Sequence, residues 1–254
     1  MQRCKQGQLE WLQFDLLSDV PHLHHAVFLR HGGVSQAPYH SLNFDYSVGD
    51  NPAHVDENYV RLRQHLGGLT GWKRLVKTLA CHKDSVALVE DHTKSKIIDH
   101  DAMVSKLKGV TLMSKHADCQ IGLFYDPIHH AVANVHSGWR GSVRNIYAHT
   151  IAAMQYHFRS NPADLLVCIS PSLGPDEAEF IHYRTELPEP FWDFQVRPTY
   201  FDFWAISEHQ LKTAGILSHH IEVARISTYT NTQDYFSYRK EKVRGCNATC
   251  ITLL

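Results

Sequence analysis

Short runs in which hydrophobic residues are continuous or alternate with polar ones recur from residue 26 to residue 253, and they predict strands. They fall at 26–30, 75–80, 85–89, 110–114, 119–125, 130–136, 165–169, 221–226 and 247–253. Helical periodicity is rarer. Asp50 or Asn51 as N-cap, Pro52 at the first position, and Val55, Tyr59, Leu62 and Leu66 on one face predict a helix near 53–66. Val143, Ile146, Tyr147, Ile151, Met154 and Phe158 trace a second apolar stripe over 143–158, and a third helix fits 201–214 before Gly215. Strands outnumber helices without alternating with them, so the pattern reads as a mixed α+β fold. No repeat or Ser/Gly-rich linker divides the chain, which predicts one domain over residues 1–254.

Length and charge narrow the function classes. The 254 residues, 43% hydrophobic, suffice for a large buried core. Lys plus Arg (25) nearly balance Asp plus Glu (26), which leaves no global field for nucleic acid or an anionic membrane and disfavours both as partners. The apolar runs are too short to span a bilayer, and residues 1–12 lack a signal-peptide core, so a cytoplasmic protein is expected. Six irregularly spaced cysteines do not form a secreted disulfide framework, and reduced thiols are expected. The 20 histidines are too many for any one to be diagnostic. Pairs such as His24-His25, His129-His130 and His219-His220 read as surface or loop residues, and protonating the histidines below about pH 6 would make the protein strongly basic.

The most informative stretch is 117–141. Ala117-Asp-Cys119 precedes a buried strand, Asp126-Pro127 makes a turn, and a second strand ends at His136-Ser-Gly-Trp-Arg-Gly141. A seven-residue strand spans about 20 Å, so an antiparallel return brings position 136 back to position 119. Cys119 and His136 then become neighbours, as reactive groups or as a buried thiol beside a hydrogen-bonded strand-end histidine. Gly138 and Gly141 bracket Trp139-Arg140 and lead into the 143–158 helix with Ser142 as the expected N-cap. This is either an anion site or an ordinary strand-to-helix turn. Other motifs carry less. Cys246 and Cys250 on one strand would lie roughly 13 Å apart, too far to share an ion. His22-Leu-His24 follows Pro21, has no third ligand nearby in sequence and reads as a loop. The H-x-E…P-C-x-x-C zinc-deaminase, P-loop and G-x-S-x-G patterns are absent from the sequence.

Over nearly its whole length the chain resembles the YfiH-type proteins, long labelled laccase-domain or polyphenol oxidase proteins and later described as purine nucleoside phosphorylases. The shared pieces, in order, are Arg30-His-Gly-Gly-Val-Ser35, Ser41-Leu-Asn43, Asp50 with Asn58, Cys81-His82 ahead of Ser85-Val86, Asp101-Ala-Met-Val-Ser105, Ala117-Asp-Cys119, His136-Ser-Gly-Trp-Arg-Gly141, Gly174-Pro175, Asp202-Phe-Trp204 and Phe236-Ser-Tyr-Arg239. The resemblance implies mixed sheets flanked by helices in an α-β-β-α arrangement. It also implies His82, Cys119 and His136 as metal ligands, with Zn2+ as the metal and copper as a possible occupant. Two imidazoles and a thiolate leave a fourth position open, as in catalytic zinc sites.

The implied reaction is phosphorolysis of adenosine, inosine and methylthioadenosine to free base and the ribose 1-phosphate, with adenosine deamination as a side activity, by a monomer or weak homodimer. His82, Cys119 and His136 would carry the chemistry, with Asp118 as an acid/base or supporting group. Arg140, Arg30 and the helix start at 142 are the expected phosphate contacts, and Ser35, Asn43 and Arg239 the expected nucleoside contacts. Several positions depart from the family pattern: Arg244-Gly245-Cys246 stands where Thr-Gly-Arg is usual, Tyr229-Thr230 where Cys-Thr is usual, Ser170-Pro171 where Gly-Pro is usual, and Asp176 where Cys is common. Two other chemistries suit the same residues. One is a copper-dependent polyphenol oxidase with Met113 as axial ligand, although only His22-x-His24 has the His-x-His form of a trinuclear cluster. The other is a cysteine hydrolase or deamidase with Cys119 as nucleophile and His136 as base. A non-catalytic metal-buffering or partner-binding role would use the same trio and leave the Gly-Trp-Arg-Gly loop without a purpose.

Overall fold

The structure, a computed structural model, describes residues 1–90 and 95–254. Two mixed sheets dominate it. The first has seven strands in the order β1 (Gln2–Gln6), β2 (Leu9–Gln13), β3 (Leu23–Phe28), β15 (Asn247–Leu253), β8 (Val110–His116), β4 (Arg74–Leu79) and β6 (Lys96–Ile98). The second has six: β14 (Ile221–Val223), β11 (Leu166–Ile169), β9 (Gln120–Asp126), β10 (Ala131–Ser137), β7 (Ala102–Ser105) and β5 (Val86–Leu88). A small hairpin, β12 (Gln195–Arg197) with β13 (Tyr200–Phe201), lies apart. The helices are α1 (Asp15–Ser18), α2 (Pro52–Gly67), α3 (Trp139–Val143), α4 (Ile146–Phe158), α5 (Tyr183–Glu186) and α6 (Phe203–Thr213). No helix among the described residues is long and apolar enough to cross a membrane.

Strand alternation sorts the side chains into layers. Leu112 of β8 and Ile251 of β15 meet Ile121 and Leu123 of β9 and Val132 of β10 between the sheets. The opposite face of β10, Ala131, Ala133 and Val135, packs on Ile146, Tyr147, Ile151 and Met154 of α4. The outer face of the first sheet, including Phe28, Met113 and Ala248, packs on Val55, Tyr59, Leu62 and Leu66 of α2. The outcome is the helix–sheet–sheet–helix arrangement expected from the resemblance. Asn134 is polar yet fully buried between the sheets, and its Nδ2 donates to Leu112 O (3.1 Å) and Thr249 O (3.0 Å) of the facing sheet.

All nine expected strands are present. Six more appear, including the polar edge strand β1 and the four-residue β7, whose compositions carry no clear period. Asn51 caps α2, accepting from the Ala53 N–H at 3.0 Å. The expected 143–158 helix is corrected: the chain forms α3, breaks at Asn145, and resumes as α4. Asn145 adopts a left-handed conformation (φ 54°), and its side chain accepts from the Ala148 N–H at 3.2 Å. Ser142 lies inside α3 and is not the N-cap. His24 and His25 are also corrected from surface or loop to buried positions of β3.

Candidate metal centre

The β9–β10 hairpin turns where the sequence predicts. Asp126 Oδ1 accepts from the Ile128 and His129 N–H groups at 2.8 and 2.9 Å, and the register pairs His136 with Ile121 and Ser137 with Gln120. Cys119 and Gly138 therefore flank the open end of the hairpin, with the His136 ring pointing between the sheets. On its other side β10 pairs with β7, so Asp101, just before β7, lies opposite His136 and accepts its N–H at 2.7 Å.

His82 reaches the same point from the loop between β4 and β5. The ligand atoms of His82, Cys119 and His136 all lie within 4.8 Å of one another, with His136 buried, Cys119 half-buried and His82 exposed. Tetrahedral zinc with bonds of about 2.0–2.3 Å would hold such atoms about 3.3–3.7 Å apart. The trio therefore fits a zinc-sized ion after small side-chain rotations. Gly138 supplies the space: a Cβ there would lie 3.0 Å from His82 Nδ1 and 3.1 Å from Cys119 Sγ. With φ −77°, Gly138 needs no glycine for its backbone, so its lack of a side chain is what the site uses.

The Asp101 carboxylate supports the trio from behind. Its Oδ1 accepts from His136 Nδ1 at 2.8 Å and from the His82 N–H at 3.0 Å, while Oδ2 accepts from the Lys83 N–H at 2.8 Å and from Cys81 N–H and Sγ at 3.2 and 3.0 Å. Burial raises its pKa, but these donors outweigh that effect and hold it well below the usual carboxylate range. For His136, burial opposes the charged ring. Cys119 and Asp101 outweigh it and raise the pKa to about 9 in the metal-free protein. His82 is shifted downward, by loss of water on its protein-facing side and by the neighbouring His136.

Two cavities meet at Cys119, Gly138 and Trp139. One, about 500 Å3, has an apolar wall of Trp139, Leu173, Phe180 and Phe203 and is bordered by Asp118 and Arg239. The other, about 450 Å3, is basic, lined by His82, Lys115, Arg140 and Arg244 with the single carboxylate Asp45. Lys115 is paired with Asp45 at 2.8 Å. Arg140 stacks on Trp139, its guanidinium carbon 4.1 Å from the ring centre, and forms no ion pair or side-chain hydrogen bond with a described residue.

The remaining expected site residues fall into two groups. Asp118 borders the apolar cavity, but its carboxylate accepts from Thr228 Oγ1 (2.7 Å) and the Arg239 N–H (2.6 Å), which ties three segments together. Arg239 borders it too, with its guanidinium donating to Glu177 O and Glu179 O. Arg30, Ser35 and Asn43, the other expected phosphate and nucleoside contacts, do not line either cavity. Arg30 donates to His40 O (2.8 Å) and Thr232 O (2.7 Å) and stacks on Phe236. Ser35 Oγ and Asn43 Nδ2 are buried and donate to Asp50 Oδ2 at 2.6 and 2.9 Å. Asp101, Phe180 and Phe203 join the site without having been expected there; Asp101 and Phe203 stand in shared motifs, 101–105 and 202–204, but neither motif gives them a role.

The family model described as multi-copper polyphenol oxidoreductase laccase matches residues 24–254. Purine nucleoside phosphorylase YfiH of Escherichia coli is 30% identical over 237 residues, which cover 89% of this chain and 91% of that protein. A purine nucleoside phosphorylase of Bacteroides thetaiotaomicron is 27% identical over 251 residues, 92% of each chain. The crystal structure of YlmD from Geobacillus stearothermophilus superposes with a TM-score of 0.86 at 24% identity, covering 98% of this chain and 97% of that one.

Proposed function

Because the chain belongs to the YfiH family of laccase-domain proteins, we propose that it is a purine nucleoside phosphorylase working through a zinc centre at His82, Cys119 and His136. The observation that carries this reading is the open three-ligand set at the junction of an apolar and a basic cavity. That junction suits a substrate with a flat hydrophobic base at one end and a reaction with an anion at the other. The substrates are adenosine, inosine and methylthioadenosine, with adenosine deamination as a side activity. The whole chain acts as one domain, in the cytoplasm, as a monomer or weak homodimer.

Trp139, Phe180 and Phe203 hold the purine by apolar and stacking contact, and they exclude water from one face of it. Arg140, in the basic cavity and without an ion pair or side-chain hydrogen bond among the described residues, holds phosphate. A phosphate oxygen forms the new bond to C1′ as the bond from C1′ to the base nitrogen breaks. The electron pair leaves with the base, and the proton of hydrogen phosphate ends on it. Asp118 and Arg239 fix the wall facing the sugar through their bonds to residues 228, 177 and 179. A zinc ion at the trio supplies Lewis acidity toward an oxygen or nitrogen of the substrate, and copper is a competing occupant because its intrinsic affinity is higher.

The test is chromatography of zinc-loaded protein with adenosine and inosine, with and without phosphate, beside His136→Ala. Phosphate-dependent release of adenine and hypoxanthine, abolished in the variant, is expected; intact nucleosides under the same conditions would refute the reading. The laccase description finds less support, since the trio is the one cluster of three metal-binding groups among the described residues and multicopper oxidation requires several.

A further inference from the structure

We infer that Asp101 is the positioning residue of the metal centre, one carboxylate that fixes both imidazole ligands at once. The inference rests on the reading of His82, Cys119 and His136 as a metal site, and it concerns how that site is built.

His136 and His82 come from different parts of the chain, and among the described residues Asp101 is the one side chain hydrogen-bonded to both. At His136 the contact is to the ring. A carboxylate can only accept, so the 2.8 Å bond fixes a proton on Nδ1 and turns Nε2 toward Cys119 and His82, where a metal would take the place of the Nε2 proton. At His82 the contact is to the backbone. The N–H groups of residues 81, 82 and 83 all converge on the same carboxylate, and His82 itself has φ 57°, a left-handed conformation that a β-carbon disfavours. Three N–H groups captured by one anion hold that conformation, which aims the His82 ring across Gly138 at Cys119. Asp101 is fully buried, and its own carbonyl accepts the His136 N–H at 2.7 Å, so β7 fixes the carboxylate relative to β10. Cys81 belongs to the same anchor: its thiol also donates to Asp101 and is thereby turned away from the trio.

The experiment compares zinc affinity of wild type, Asp101→Asn and Asp126→Asn by competition with a chromophoric chelator, with the visible spectrum of the cobalt-substituted proteins as a second readout. Asparagine at 101 keeps one acceptor oxygen, so its NH2 group must face either His136 Nδ1 and the His82 N–H, which share Oδ1, or the residue 81 and 83 N–H groups, which share Oδ2, and the anchor is broken either way. Asp126 is the control, a buried carboxylate that accepts two N–H groups in the β9–β10 turn away from the trio. Asp101→Asn should weaken zinc binding by about 10- to 100-fold and shift the cobalt spectrum, the range usual for loss of a group that orients a metal-bound histidine. Asp126→Asn should alter stability and leave both readouts unchanged.

A folded Asp101→Asn protein with wild-type affinity and spectrum would overturn the inference. So would an equal loss in Asp126→Asn. Should Asp101→Asn fail to fold, long-range proton–nitrogen NMR of the zinc-loaded wild type decides: Nδ1 of His136 protonated and Nε2 on the metal is expected, and ligation through Nδ1 would refute it. A wild type that takes up no zinc would instead remove the metal-site reading itself, and this inference with it.

Discussion

Gly138 shows how much a single missing side chain can decide. It caps α3 with an ordinary backbone, yet a methyl group there would crowd His82 Nδ1 and Cys119 Sγ at about the distance where real contacts become intolerable. Gly138→Ala is therefore expected to lower zinc affinity by about tenfold or more while changing unfolding free energy by only about 1 kcal/mol, because the methyl falls into space meant for an ion. Chelator competition together with urea unfolding checks this; a loss of stability without a loss of affinity would mean the glycine serves packing alone. At this scale Cys119 and His136 were legible, because hairpin arithmetic alone brings them together. His82 was legible only through the family motif, since it arrives on a loop between strands of different sheets and no spacing links it to the hairpin. Ser35 and Asn43 illustrate the converse. Their motifs identify them, but a motif does not say whether a polar side chain faces a cavity or a buried Asp50.

Among the described residues, periodicity found every strand of six or more residues, and the strands it lost are five residues or shorter, the fully buried β7 among them. β8, β9, β10 and β15 are buried on nearly every position and read as long apolar runs, whereas β1 is an exposed polar edge and β12 and β13 belong to a small hairpin outside the main sheets. The break between α3 and α4 was hidden for another reason. The apolar stripe from Val143 to Phe158 continues through it, and only Asn145, a residue that tolerates left-handed backbone and can cap, marks it. Asn145→Ala should destabilise the protein by roughly 1–2 kcal/mol, and Asn145→Gly by less, since glycine keeps the conformation and loses only the cap. Equal losses in the two variants, measured by denaturant midpoint at constant m, would assign the whole effect to the cap bond. No loss in either would mean that packing of α4 on β10 alone sets the break.

For the molecule as a whole, the histidines matter most where they are buried. His24 lies under α2 beside His65, and His25 lies under Phe14, its Nε2 accepting from the Phe14 N–H at 2.7 Å. Burial depresses the pKa of His24 to about 3, helped by His65 and His25, and that of His25 to about 4. In the unfolded chain both return to about 6.5, so between that value and the folded pKa the unfolded state binds more protons and stability falls as pH falls. The contribution is complete above pH 6.5. It declines by up to about 1.4 kcal/mol per pH unit for each ring and stops declining once pH drops below the folded values near 4 and 3. By pH 5 the two rings together should have cost about 4 kcal/mol, a large share of the total for a domain of this size. Urea unfolding at pH 7.5, 6 and 5 measures it. His24→Leu, which keeps an apolar group beside His65, should reduce the proton uptake on unfolding at pH 5 by about one. A slope unchanged by that substitution would leave the acid sensitivity to His25 and the exposed histidines; the exposed ones act through net charge and are screened by salt, and repeating the titration in high salt separates the two.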